Sequence, residues 1–331
     1  MTVPDSIGSA VDAAGLWLGC VRRLRGVRRH MLVAGKWGLG LALAAVALLT
    51  PGFLELPALL SLLTTVSFIG CVAVGMTLIT LGGGIMSLSL GATVGACSIV
   101  CLLVANQAGV VAGMAASVAF GCVLAGAQGA MVGYLRANPI IVSIAASVLV
   151  YAMAQPITGN TVIYAAVPMP KALLSTTFLG APFEFVVFVV LAASTQLMLS
   201  FSRFGRQLYL VGTSFRAARA ARIRAGPTVL GAYAWAGAAS AVAGILLALR
   251  YERASMDVGI GMDYPAIAAV LVGGTAITGG RGSAIRSFAG VMIIGIVQVL
   301  LLLRGFRQEW QFLITGVVVL LVILLNSGAQ R

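Results

Sequence analysis

PALLSLLTTVSFIGCVAVGMTLITL (57–81) runs for 25 residues without a charged side chain. About 20 such residues cross the hydrocarbon of a bilayer as a helix. There the helix is one of two backbone forms that can satisfy its own hydrogen bonds. Further apolar runs lie on either side, at about 33–50, 85–104, 107–133, 140–158, 183–200, 228–249, 265–280, 284–303 and 309–326, which gives ten expected spans. The stretch 265–280 is short and Gly-rich, so it reads as a broken or re-entrant element. None of the runs alternates as the strands of an outer-membrane barrel do. Composition agrees: 60% of the 331 residues are hydrophobic and 9% charged, with a mean hydropathy of +1.08. Soluble domains carry about 25% charged residues, so this chain has too few to cover a water-facing surface. The fold class expected is an all-α polytopic membrane protein of about ten transmembrane or re-entrant helices, both termini cytoplasmic.

The formal net charge of +13 raises the question of nucleic acid, but the positions of the charges answer it. Arg22, Arg23, Arg25, Arg28 and Arg29 precede the first span, and Arg203, Arg206, Arg216, Arg219, Arg222 and Arg224 crowd one connection. That is the distribution of a positive-inside topology signal. With the N-terminus inside, 16 Lys and Arg fall on the cytoplasmic side and five outside, whereas six of the eight acids fall outside. The segment 201–227 cannot be a span, because six arginines at the bilayer centre would cost on the order of 15–20 kcal/mol. Residues 1–30 read as a basic cytoplasmic arm without the early apolar core of a signal peptide, and 31–331 as the membrane domain. Bacterial inner membrane is the location expected.

Chemistry-bearing motifs are few. Gly274 to Gly279 has the GxxxxG spacing, but Gly280 stands where a phosphate loop needs Lys. Gly82-Gly83-Gly84 precedes no Lys-Ser/Thr pair. His30 is the single histidine, and no apolar segment holds a pair of acids. Histidine-based metal sites, Ser-His-Asp triads and intramembrane carboxylate pairs are therefore not expected. The five cysteines show no CxxC spacing and read as small apolar residues. The chain does not look like an enzyme, and no cofactor or metal is expected in it.

What stays polar inside the membrane is mild: Thr77, Thr80, Ser87, Ser89, Thr93, Ser98, Ser143, Ser147 and Gln155. Two readings stand side by side. Ser and Thr hydroxyls can bond back to their own helix and glue helices together. They can equally line a route for a neutral, hydroxyl-bearing solute that needs no counter-charge. Backbone breaks at Gly82-Gly83-Gly84 and Asn138-Pro139 favour irregular chain near Ser87, Ser89, Thr93, Asn138, Ser143 and Ser147, and such chain lines protein or water at membrane depth. A second pattern is the ladder Gly109, Gly113, Ser117, Gly121, Ala125, Gly129, Gly133. Small residues at every fourth position let helix backbones approach closely. Because steps of four drift round the helix, this helix is expected to be wrapped by neighbours rather than exposed to lipid.

Four regions together carry a resemblance: AVGMTLITLGGGI (73–85) with LSLGA (88–92), NPIIVSIA (138–145), FGRQLYLVGTSFRAARAARI (204–223) and AIAAVLVGGTAITGGRGS (266–283). Their order is similar to that of the permease subunit of bacterial ABC sugar importers of the ribose/xylose/galactose type, over about 55–326. The resemblance implies a transport subunit that works as a pair, with an identical copy or a paralogue. It also implies separate ABC ATPase subunits, which bind the ATP, and a periplasmic solute-binding protein that delivers a small polar solute. In this family a coupling helix in the loop after the sixth apolar segment sits on the ATPase, and it maps here onto Thr213–Arg224. The residues agree, since Phe215, Ala218 and Arg222 are spaced for one helix face. Ala217, Arg219 and Ile223 complete the expected contact, Gly212 and Gly226-Pro227 the expected breaks, and surface attachment to anionic membrane lipid is the alternative for this helix. Outside, Arg250, Glu252, Arg253, Asp257 and Asp263 form a mixed-charge stretch that is either a solvated loop or the docking face for the binding protein. Three departures stand out: Met86-Ser87 where relatives place an Asp, Pro265 in place of an acidic residue, and Arg222 in place of a Gly. The first two put the usual pentose and hexose substrates in doubt. The rival from another class, an ion-coupled secondary transporter, would need internal repeats and coupling-ion sites at broken helices, and neither is visible.

Overall fold

The computed structural model describes residues 53, 55–84, 86–159, 161–167, 180–307, 309–317 and 320. The expected span 33–50 and the basic arm 1–30 lie outside them. Seven described helices are long and apolar enough to cross a membrane: α1 (Leu56–Leu81), α2 (Leu90–Ala108), α3 (Val110–Gly133), α4 (Pro139–Thr158), α5 (Phe183–Phe201), α8 (Ala225–Tyr251) and α10 (Ala284–Leu303). Between them lie the short helices α6 (Arg203–Thr213), α7 (Phe215–Ala220) and α9 (Asp263–Val272). Two residues each of β1 (Ile163–Tyr164) and β2 (Arg253–Ala254) pair antiparallel, and residues 309–317 are helical. The chain is thus mostly helical, with seven candidate spans where the sequence reading expected ten.

Local chemistry fixes the helix ends. Asn138 accepts the Ile140 N–H at 3.0 Å and is followed by Pro139 in the first turn of α4, where a missing N–H costs nothing. Ser202, Ser214 and Ser283 cap α6, α7 and α10 in the same way. Ser/Thr/Asn caps of this kind contribute about 1 kcal/mol each.

The centre of the molecule is α8, which packs on α1, α2 and α3. The approach is close because both sides are small. A Cβ on Gly237 would overlap the Gly121 carbonyl, one on Gly75 would meet the Ala236 backbone, and one on Gly244 would meet Val94 and Ser98. The ladder of α3 packs on α2 and α8, with Gly113, Ser117, Gly121, Ala125 and Gly129 all buried. The rest of α3 is not wrapped: Val111, Met114, Phe120, Val123 and Met131 are exposed. The expectation of a fully surrounded helix is corrected to one buried stripe. Of the larger side chains, Thr77 on α1 donates 2.7 Å to Ser287 on α10, and Phe188 of α5 stacks on Phe288 of α10 with centroids 5.0 Å apart.

Two elements break inside the membrane region. The helix expected from 85 begins only at Leu90, after irregular chain at 82–84 and 86–89. Gly91 lies less than two turns before Cys97, which touches Gly121 where that glycine meets Gly237 and Ala241. Those α8 residues lie near its mid-length, so α2 starts between the ends of the span. From the other side the chain at 256–263 folds inward, bringing Met256 against Gly95 and Gly259 against Gly91. There α9 begins, and it stops after ten residues. The glycine-rich return through Gly274, Gly279 and Gly280, all at positive φ, reaches the far end of α1, where the Gly280 N–H donates to the Leu81 carbonyl at 3.0 Å. The Gly-rich element at 265–280 is therefore a short helix followed by irregular chain.

In 201–227 the expected single helix over 213–224 is corrected. Gly212 lies inside α6, Ser214 makes the break, and α7 ends at Ala220. The stop is a complete Schellman motif: Ile223 N–H donates to the Ala218 carbonyl and Arg222 N–H to the Arg219 carbonyl, both at 3.0 Å. Arg222 takes the left-handed position of that motif at φ 57°. Gly226-Pro227 is not a break either, because both residues sit in the first turn of α8, where proline is tolerated.

Candidate functional site

The hydroxyls expected along a solute route fall into three groups. Thr80 donates to the Met76 carbonyl (3.0 Å) and Thr93 to that of Ser89 (2.8 Å), both fully buried. On α4, Ser143 bonds the Ile140 carbonyl (2.9 Å) and Ser147 that of Ile144 (2.8 Å), while Asn138 is spent on its cap. The structure brings together Ser87 and Ser89, whose Oγ atoms are 3.0 Å apart, and adds Gln128, whose Oε1 accepts from Ser89 at 2.6 Å. Met76 sulfur accepts the Ser87 N–H at 3.2 Å. Gln128 Nε2 and the Tyr233 hydroxyl are buried without a hydrogen-bond partner among the described residues. An unpaired buried donor costs roughly 1–3 kcal/mol, a cost that a hydrogen-bonding partner at either atom would remove. Neither was expected from the sequence. The signal available for Gln128 was an amide inside an otherwise uncharged ladder helix.

At the end of the molecule where α8 finishes, Arg250 is 43% exposed along its side chain and reaches the fully buried Glu184 of α5 at 3.3 Å. Glu184, also unforeseen, keeps Oε2 without a partner among the described residues. Arg253 leans over the Tyr251 ring at 5.9 Å, and Asp257 is exposed. Glu252 ends α8 at φ 52°, and its carbonyl accepts from Ala165 at 3.0 Å. Asp263 parts company with these four: its Oδ1 accepts the Gly91 N–H at 2.8 Å, at the start of α2.

At the opposite end, Ala218 of α7 is 1% exposed and belongs to the main apolar core. Phe215 carries the Arg136 guanidinium 4.6 Å above its ring, and Ile223 packs on the core. Arg222 lies past the end of α7, so Phe215, Ala218 and Arg222 do not share one exposed helix face as expected. The side that α7 offers outward is Arg216, Ala217, Arg219 and Ala220. Below it lies a cavity of about 410 Å³, and a second of about 330 Å³ runs from Phe215 and Arg136 to Gly82–Gly84.

Comparison with known proteins fits this architecture. Residues 58–323 match the family described as branched-chain amino acid transport system / permease component. The chain is 32% identical to the ribose import permease protein RbsC of Bacillus subtilis over 307 residues, 87% of this chain and 90% of the relative. It is 30% identical over 313 residues to the autoinducer 2 import system permease protein LsrD of Yersinia enterocolitica, covering 90% and 94%. The LsrD protein of Photorhabdus luminescens is 30% identical over 80% of this chain and 82% of its own length. No solved structure is a significant match. The chain belongs to this permease family and is a multi-pass protein of the inner membrane.

Proposed function

We propose that this member of the permease family is the translocating subunit of an ABC importer for a small, uncharged, hydroxyl-rich solute of sugar-like chemistry. A periplasmic binding protein delivers the solute, separate ATPase subunits supply the energy, and a second permease copy or paralogue completes the pathway. The carrying observation is the buried, charge-free polar group Ser87, Ser89 and Gln128 at the break before α2, with the Gln128 amide nitrogen unpaired among the described residues. Hydroxyls and amides match a polyol. A free amino acid would carry two charges, whereas the Asp263 carboxylate at the start of α2 is already bonded to Gly91. The relatives named for ribose and autoinducer 2 import point the same way.

In this reading Thr80, Ser87, Ser89, Thr93, Asn138, Ser143 and Ser147 belong to the solute route, and those whose hydroxyls bond within their own helix act by shaping it. Coupling to the ATPase rests on Phe215, Ala217, Ala218, Arg219, Arg222 and Ile223. Ala217 and Arg219 make the outward contact, whereas Phe215, Ala218 and Ile223 seat the helix and Arg222 closes it. Docking of the binding protein uses the rim at Arg250, Glu252, Arg253 and Asp257, with Asp263 holding the loop from beneath. Residues 1–30 form the cytoplasmic arm and 31–331 the permease domain, both ends inside.

The test is reconstitution in liposomes with a cognate ABC ATPase and periplasmic binding protein. ATP-dependent uptake of a labelled pentose, hexose or related polyol is expected, with no uptake in an ion gradient alone. Gradient-driven uptake without the ATPase would overturn the reading.

A further inference from the structure

We propose that the cavity beneath α7 holds the phosphate of an anionic phospholipid from the cytoplasmic leaflet. Arg136 from the α3–α4 turn, Arg219 from α7 and Arg224 from the residue before α8 all line it, with Tyr134 and Phe215. Three separate pieces of chain thus bring an exposed arginine each to the lining of one space of about 410 Å³. The described carboxylates do not answer them. Glu184 and Glu252 are at the end of the molecule where α8 finishes, Asp257 and Asp263 are in the loop that follows it, Glu55 precedes α1, and Glu309 follows α10. None lines the cavity. Arg136 stacks on Phe215 and sits at φ 54°, a conformation unfavourable for a residue with a Cβ. An external anion shared by the three arginines balances the charge, and guanidinium forks suit phosphate oxygens.

The position selects lipid as the source. Tyr134 and Leu135, at the end of α3, are 58% and 74% exposed beside the cavity. Tyrosine at that level is a residue of the membrane interface. The exposed apolar side chains Met131 on α3 and Ile141 and Ile144 on α4 continue from there into the span region, as a surface for acyl chains. A lipid so placed would wedge α7 against α3 and α8. The site shares Arg219 and Phe215 with the coupling role proposed for α7, and because binding is read on the permease alone its failure is distinguishable from a failure of that role.

The test is titration of the purified, delipidated permease with dioleoyl phosphatidylglycerol, dioleoyl phosphatidylcholine and inorganic phosphate, read by native mass spectrometry. Phosphatidylglycerol is expected to bind selectively. The triple change Arg136→Gln, Arg219→Gln and Arg224→Gln should weaken it on the order of 100-fold. A triple of equal charge elsewhere on this face, Arg203→Gln, Arg206→Gln and Arg216→Gln, should weaken it less than tenfold. Equal losses in both triples would overturn the proposal in favour of diffuse attraction. Inorganic phosphate binding as tightly as the lipid would overturn the lipid source. If the Gln triple fails to fold, Lys at the same three positions keeps the charge but loses the forked geometry. Several-fold weaker binding then supports the site, and unchanged binding refutes it.

Discussion

Asp263 offers the sharpest test of how the broken elements are held. The first turn of α2 contains no acidic residue, and Ser89 makes no side-chain cap there, so its amide groups depend on something else. The Asp263 carboxylate supplies it, accepting the Gly91 N–H at 2.8 Å from the start of α9. A hydrogen bond to a charged group is worth about 1.5–3 kcal/mol. A carboxylate facing a helix N-terminus gains up to ~2 kcal/mol when partly buried. These describe one interaction and do not add, so Asp263→Ala should cost on the order of 2–3 kcal/mol. Asp263→Asn keeps an acceptor and also removes a charge whose burial is costly, so it should cost clearly less than Asp263→Ala. Equilibrium unfolding of the detergent-purified protein in SDS, followed by far-UV circular dichroism, gives the ranking. Hydrogen exchange adds the location: protection of the Gly91 amide should fall roughly 30- to 150-fold in the Ala variant. The exposed Asp257→Asn is the control and should stay within about 0.5 kcal/mol of wild type. If Asp263→Ala unfolds no more easily than that control, and Gly91 keeps its protection, the carboxylate does not hold the two half-elements together.

Four further outcomes follow from the same geometry. Arg250→Gln strands the Glu184 carboxylate and should destabilise more than the double variant that also carries Glu184→Gln, a sign pattern read by a double-mutant cycle. Gly237→Leu drives a side chain into the Gly121 backbone and should abolish the monodisperse peak on size exclusion, whereas Val123→Leu on the exposed side of α3 should leave it intact. Arg222→Gly relieves a left-handed residue with a Cβ and should raise stability by up to about 1 kcal/mol in the same SDS unfolding assay. Reversing Arg253 to Glu should slow binding-protein association more at low salt than at high salt, measured by surface plasmon resonance, with indifference at every ionic strength counting against a docking role.

The spans were legible because hydropathy is additive along the chain: 57–81 reads as a helix without knowledge of any neighbour. Where a boundary depends on a distant partner, sequence reading slips. Leu90 rather than residue 85 begins α2 because the irregular stretch before it is bonded through Met76 and Gln128, neither of which is local. The eighth element was legible as broken from its glycines, but not where it breaks. Glu184 was counted as one more exterior charge, and only the packing of α5 makes it buried. The segment 213–224 shows the opposite failure. Its alanines argue for a long helix, yet Ser214 at one end and the Schellman turn at Arg222 limit it to Phe215–Ala220. A family glycine at 222 would have marked that stop, and arginine conceals it.

The ladder in α3 shows how far a correct pattern carries. Each step of four residues turns the next small side chain about 40° further round the helix, and this drift suggested neighbours on every side. The structure uses the drift in sequence instead. Gly113 meets Cys101 and Ala105 of α2, and Ser117 exchanges hydrogen bonds with Cys97 of the same helix. Gly121 touches α2 and α8 together, and from there Gly129 and Gly133 meet α8, at Leu230, Tyr233, Gly226 and Val229. The rotating stripe hands α3 from one partner to the next, so two helices suffice where a straight stripe would hold one. The opposite side of α3, free of small-residue demands, carries the large exposed side chains that suit lipid or a second permease. Close packing of backbones in a membrane depends on small residues because apolar bulk gains nothing over lipid. The direction in which the ladder drifts therefore decides which helices α3 can join.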